Sequence, residues 1–294
     1  MALRIVVAGE IYVDQVLTGF RAWPRPGEEA FGESLTRETG GGAPHTAAGL
    51  ARLGWEVTLA GPVGDDPWLH ARLEQVGLGT AGLTVSATEP TGTTIAISMD
   101  GERTFFTYRG ANKDVDSVLR NLPEADHLHI AAACDANLLR ALVDRAKTVS
   151  VDAGWHPEWL RDEQVHEALR AVSWFFPNEI EAAELTGETK AENMLKRFRE
   201  LGIPAAVKLG PAGSAALSGE RCVQVSSIQI EPLDTTGAGD CFNAGFLDAW
   251  LRDEPIEVCL GAGNICGALS TRQMGGINGF PTREELNECR SRLR

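Results

Sequence analysis

Asp234-Thr235-Thr236-Gly237-Ala238-Gly239-Asp240-Cys241-Phe242-Asn243-Ala244-Gly245 is the stretch on which the reading of this chain turns. The sequence before it reads as a strand or hairpin, and an amphipathic helix through Phe246, Leu247 and Trp250 follows. Glycines at a helix entrance leave backbone N–H groups free to converge on an anion, and the helix dipole adds to the attraction. That arrangement suits a transferring phosphoryl group, which needs positioning and charge stabilisation more than covalent help. Asp240 falls at the same entrance, where a carboxylate can accept the proton of an attacking hydroxyl. An isolated Gly-x-Gly-Asp would fit a capped helix after a glycine turn equally well; the length and setting of this string favour phosphate chemistry.

Working outward, apolar β-type runs alternate with helical patterns. Strands are expected over 3–8, 56–60, 127–132, 149–152, 174–176 and 205–209, and helices over 45–53, 65–76, 137–147, 163–172, 180–185 and 192–201. The last third, from Asp240, reads as mostly helical. Such alternation predicts a mostly parallel sheet covered by helices on both faces. Residues 11–39 and 92–110 break the rhythm. The second contains two alternating runs around Asp100-Gly101, a hairpin signal. Both read as strands outside the main sheet that meet as a small second layer, a lid over the site. No internal repeat or interdomain linker is visible, so residues 1–294 are expected to form a single domain.

Composition narrows the function. With 43% hydrophobic and 23% charged residues the chain is ordinary for a globular protein. No run approaches 18 apolar residues, and the N-terminus lacks signal-peptide character, so no membrane is expected. Twenty-seven basic against 41 acidic residues give a net charge of −14, which argues against a nucleic-acid partner. The same charge repels polyanionic substrates unless a metal or a local positive field offsets it. Six cysteines without a Cys-x-x-Cys pair fit buried thiols in a reducing cytoplasm. No Walker Gly-x-x-x-x-Gly-Lys-Ser/Thr string, Gly-x-Ser-x-Gly or His-Glu-x-x-His is present. Gly261-Ala262-Gly263-Asn264 comes too late for a βαβ nucleotide turn and reads as close helix packing.

The 234–245 string resembles the C-terminal signature of the ribokinase, or PfkB, family of carbohydrate kinases. Gly40-Gly41-Gly42-Ala43-Pro44 with its alanine-rich helix is similar to that family's sugar-side motif, Pro177-Asn178-Glu179-Ile180-Glu181 to its Asn-x-x-Glu element, and residues 207–213 to its nucleotide loop. The four occur in order and span essentially the whole chain. The resemblance implies a ribokinase-like three-layer α/β/α fold with a small β-sheet lid, and ATP-dependent phosphorylation of a hydroxyl on a small sugar or sugar-like molecule. It implies Asp240 as base, with the amides of Gly237, Ala238 and Gly239 as the anion hole. Asp14, Gly41, Gly42, His45 and Arg109 would meet the acceptor, and Asn178, Lys208, Gly210, Gly213 and Asn264 the nucleotide. Asn178 and Glu181 would hold Mg²⁺ through water, and Asp234 and Thr236 match positions used for a monovalent cation such as K⁺. It also implies a homodimer through exposed lid strands.

His45 departs from the family, which usually has Asn there. It reads as either a changed substrate contact or a buried, helix-capping residue. Arg109 suits an anionic substituent on the acceptor, or an ordinary surface ion pair. Two rival functions remain: a nucleoside kinase with Tyr12, Trp23 and Phe106 as walls for the base, and a non-catalytic sensor of sugar or nucleotide. The second has no need of Asp240.

Overall fold

A segment that is apolar at every position has no solvent face and needs cover on both sides. In the computed structural model, which describes residues 3–99 and 102–292, the first such segment is β1 (Ile5–Gly9), buried throughout. There follow β2 (Tyr12–Thr18), β3 (Ser34–Gly40), α1 (Gly42–Arg52), β4 (Val57–Val63), α2 (Pro67–Gln75), β5 (Leu83–Val85), β6 (Gly92–Met99), β7 (Glu102–Tyr108) and α3 (Val115–Arg120). The middle of the chain forms β8 (Ala125–Ala131), α4 (Ala136–Val143), β9 (Ala146–Val151), α5 (Pro157–Arg161), α6 (Glu163–Leu169), β10 (Trp174–Phe175), α7 (Glu179–Thr186) and α8 (Ala191–Leu201). Next come β11 (Ala206–Lys208), β12 (Ser214–Ser218), β13 (Arg221–Val225), α9 (Ala238–Trp250), α10 (Ile256–Ser270) and α11 (Arg283–Arg292). The predicted Asp100-Gly101 turn lies outside the described residues.

Six strands make a wholly parallel sheet in the order β10-β9-β8-β1-β4-β5. Alternate residues of β1 serve opposite layers. Ile5 and Val7 pack with α1, α9 and α10, while Val6 and Ala8 pack with α3, α4, α6 and α8. The result is a three-layer α/β/α body. Parallel bridges from Phe175 to Ala205 and from Asn178 to Lys208 carry the sheet on into the antiparallel set β11-β12-β13. The two segments that broke the alternation form a separate sheet, β3-β2-β6-β7, in which β2 lies antiparallel to β3 and parallel to β6. The corner between β1 and β2 is gripped by the buried Asn112, which donates to the Ile11 carbonyl (2.8 Å) and accepts the Ile11 N–H (3.0 Å).

Of the boundaries that differ from expectation, two have a clear cause. The helix expected over 137–147 ends at Val143, and residues 146–151 are a strand, because pairing with β8 reaches back to Ala125 opposite Ala146. A partner strand from another part of the chain overrides the local pattern there. Asp66, not Asp65, caps α2, accepting the Leu69 N–H at 3.1 Å. The glycines late in the chain serve helix packing: a Cβ on Gly263 would stand 2.6 Å from the Phe242 ring, and one on Gly245 2.6 Å from the Ala262 carbonyl oxygen.

Beneath α9 the sheet carries a buried polar ladder. His127 meets Thr148 Oγ1 through Nδ1 (2.9 Å) and Ser150 Oγ through Nε2 (3.1 Å); Ser150 Oγ in turn meets His129 Nδ1 (2.8 Å). Burial pushes His127 down to about 3 and His129 down to about 4, so both stay neutral. In the unfolded chain they titrate near 6.5, where the unfolded state begins to bind more protons than the folded one. Their contribution to stability is therefore whole above that pH and is lost as pH falls toward the folded values. His127→Gln should flatten this slope by up to about 1.4 kcal/mol per pH unit. Urea midpoints of mutant and wild type between pH 7 and 4.5 check this; parallel curves would rule it out.

Candidate active site

The entrance of α9 is shaped by Gly237, at φ 68°, where a Cβ would also stand 2.9 Å from the His45 ring. The Ala238 N–H donates to the Thr235 carbonyl at 3.2 Å. Asp240, in the first turn, is about one-fifth exposed; its Oδ2 lies 3.6 Å from His45 Nδ1. A Cβ on Gly42, the first residue of α1, would stand 2.8 Å from Asp240 Oδ1. Two helix entrances thus face one another across a single carboxylate.

His45 is fully enclosed. Its Nδ1 lies 2.8 Å from the Gly41 carbonyl oxygen, which can only accept, so Nδ1 carries the proton. Its buried Nε2 has no hydrogen-bond partner among the described residues. Burial works against the imidazolium, but Asp240, Asp14 and the Gly41 carbonyl outweigh it and hold the pKa above the ordinary histidine value. Asp14, on β2, fills the space left by Gly40, where a Cβ would come within 2.2 Å of Asp14 Oδ1. Burial raises its pKa, with His45 opposing. Arg109 is half-exposed and paired: it donates to Glu10 Oε1 (3.0 Å) and to the Asn112 carbonyl (3.3 Å).

On the other side of the α9 entrance is a cavity of about 280 Å³. Lys208, Gly210, Gly213, Ala238, Gly239 and Asn264 are among its lining residues. Asn264 braces it, donating to the Val225 carbonyl at 2.8 Å. A wider cleft of about 750 Å³ over α1 and α2 holds none of the expected site residues. Asn178 and Glu181 make a reciprocal capping box at the start of α7: Asn178 N–H donates to Glu181 Oε2 (2.8 Å) and Glu181 N–H to Asn178 Oδ1 (2.9 Å). Burial, followed by the charge of Asp152, raises Glu181 to about 7. The buried Asp234 carboxylate accepts from Thr236 N–H (2.8 Å) and Gly275 N–H (2.9 Å), tying the glycine string to the segment before α11.

Sequence reading missed Asp152 and Asn243. Asp152 follows the buried β9 and receives both Lys208 Nζ and Asn243 Nδ2 at 2.6 Å. An acid just beyond the carboxyl end of an apolar parallel strand was the available signal, since ligands bind at that end. No cluster of three or more His, Cys, Asp or Glu suited to a metal occurs among the described residues, and no described helix is long and apolar enough to cross a membrane.

Comparison with known proteins matches residues 2–283 to the pfkB carbohydrate kinase family. The chain belongs to the PfkB family of carbohydrate kinases. It is 29% identical to a ribokinase of Bacillus subtilis, over 98% of this chain and 99% of that one. It is 31% identical to an ATP-dependent ribose-1-phosphate kinase of Halopiger xanaduensis, over 97% of each. Among solved structures, Arabidopsis thaliana ribokinase complexed with ribose and ATP superimposes with a TM-score of 0.83 at 25% identity, covering 98% of this kinase and 99% of the plant chain. A Methanocaldococcus jannaschii nucleoside kinase shares the fold, with a TM-score of 0.82 at 22% identity over 99% of this chain and all of that one.

The crowding at Gly237 makes a structural prediction. Gly237→Ala combines left-handed strain with a clash on His45, and should lower unfolding stability by about 2 kcal/mol or more. In a His45→Ala background the clash is relieved and only the strain remains, so the loss should shrink to about 1 kcal/mol. Denaturant midpoints of the four proteins give both numbers; an equal loss in each background would remove His45 from the account.

Proposed function

We propose that this kinase transfers the terminal phosphoryl group of ATP to a hydroxyl of a small neutral sugar, with Asp240 as general base. What carries the reading is the position of Asp240 between two half-sites. Gly42, His45 and Asp14 lie toward the acceptor side, and the cavity of Lys208 and Gly239 lies on the other. In this reading Asp240 removes the hydroxyl proton, the oxygen attacks the terminal phosphorus, and the bond to ADP breaks. The amides of Gly237, Ala238 and Gly239 stabilise the developing charge, with Ala238 giving up its long bond to Thr235. Gly41 approaches the acceptor by its backbone, and Gly210, Gly213 and Asn264 border the nucleotide. Arg109 is engaged by Glu10, which favours a free sugar over a phosphosugar.

Mg²⁺ fits the nucleotide side. Burial, and after it the charge of Asp152, raises the Glu181 pKa against the pull of Lys208, and a cation nearby would favour its carboxylate form. Asn178 and Glu181 would hold the ion through water, where it would screen the charge of the triphosphate. For K⁺, Asp234 and Thr236 are the candidate ligands, the buried Asp234 carboxylate standing directly behind the glycine string. The β3-β2-β6-β7 sheet acts as the lid of a single-domain chain. Its exposed Leu35, Ile95 and Phe105 suit pairing with a second copy. The acidic balance and free cysteines agree with a cytoplasmic enzyme without a nucleic-acid or membrane partner.

Asp240→Asn tests the reading. It should lower kcat by about 10²–10⁴-fold across a panel of pentoses, hexoses, phosphosugars and nucleosides, with ATP binding preserved. Unchanged transfer would end the base assignment, and fastest turnover on a nucleoside would move the acceptor to that class. Gly42→Ala should separate folding from chemistry: the thermal midpoint holds, because alanine favours the helix, while the displaced Asp240 loses roughly 10-fold or more in kcat.

A further inference from the structure

Asp152 belongs to none of the four motifs, yet it is the anchor of the nucleotide side. It is 8% exposed, and one of its oxygens, Oδ2, receives both the Lys208 ammonium and the Asn243 amide at 2.6 Å. Lys208 and Asn243 come from strand β11 and helix α9, so one carboxylate ties the central sheet, its antiparallel continuation and the helix of the anion hole. The side chains of Lys208 and Asp152 are only 12% and 9% exposed. The consequence lies at Gly239, where a Cβ would stand 3.2 Å from Lys208 Nζ. The ammonium is therefore parked against the second glycine of the anion hole. Lysine is a compact charge on a flexible stem, and needs an external constraint to act as a fixed one.

We propose that Asp152, supported by Asn243, is a positioning residue: it holds the Lys208 ammonium beside Gly239, so that Lys208 meets the transferring phosphoryl group as a pre-placed positive charge. The inference rests on the kinase reading above and assigns that site a residue lying outside its motifs. A preorganised charge aimed where negative charge develops lowers the barrier without reorganisation at the moment of transfer. Because the negative charge grows during transfer, loss of the anchor should appear in kcat more than in KM. A residue that merely supports the fold would show no such split and no dependence on Lys208.

The experiment is a double-mutant cycle with Asp152→Asn and Lys208→Met, measured on the full chain with ATP and its best acceptor. Each single substitution is expected to lower kcat roughly 10- to 100-fold, with KM for both substrates within about 3-fold of wild type. In the Lys208→Met background, Asp152→Asn should change kcat by less than about 2-fold, because there is no ammonium left to place. Removing both members of a buried pair is tolerated better than removing one, which favours a folded double variant. Should Asp152→Asn fail to fold, Asp152→Glu replaces it: the charge is kept but moved, and the loss should again require Lys208. The same fold-loss with and without Lys208, or a wild-type kcat in Asp152→Asn, overturns the inference. A wild-type chain that phosphorylates no acceptor would instead overturn the kinase reading. The cycle is then read by calorimetry on the dissociation constant for ADP with aluminium fluoride, a mimic of the transferring phosphoryl group, where coupling between positions 152 and 208 supports the inference and additivity overturns it.

Discussion

The start of α9 is clamped from two directions, and the rest of the site is arranged around that clamp. His45 presses on Gly237 from the side of α1, and Lys208 presses on Gly239 from the side of the sheet. Position 237 has no room for a side chain, and one at 239 would meet the Lys208 ammonium, so both glycines answer a steric demand. A helix end enclosed by protein must find partners for its N–H groups or leave them for a ligand. Here the surroundings supply one long bond, from Ala238 to Thr235. Asp234 then fastens the loop from behind through its bonds to Thr236 and Gly275.

Charge explains how so acidic a chain accommodates this site. Asp14, Asp152, Glu181, Asp234 and Asp240 all approach the α9 entrance, against Lys208 and His45. Burial alone would strip the proton from Lys208, but Asp152, Glu181 and Asp240 more than compensate and raise its pKa. Burial likewise opposes the Asp152 carboxylate, and Lys208 with Asn243 outweighs it. The two groups stabilise one another's charged forms, while burial and then the charge of Asp152 keep the Glu181 pKa raised despite Lys208.

Much of this was legible in the sequence because it is local. The strand–helix alternation follows from side-chain periodicity, and Asn178 with Glu181 are joined by a spacing of three along one helix turn. The glycines at 40 to 42 and at 237 and 239 are marked by their own clustering. What was hidden depends on distance along the chain. Asp152 meets partners 56 and 91 positions away, and β2 finds its parallel neighbour β6 about eighty residues later. Arg109 read as either an acceptor contact or a surface ion pair, and its bond to Glu10, 99 positions away, has no local signature. The extension of β9 back to Ala146 was likewise fixed by a partner strand rather than by its own residues.

The grip of Asn112 on Ile11 has a bearing on how such a molecule can change. A side-chain amide there reproduces the paired exchange that a neighbouring strand would make with a backbone residue, and it does so just before β2 departs from the body. The residue that closes the joint follows β7, the last strand of the outer sheet, and packs against Gly92 at the start of β6. The outer sheet therefore leaves the body and rejoins it at one latch, and any shift of that sheet is felt first at Asn112.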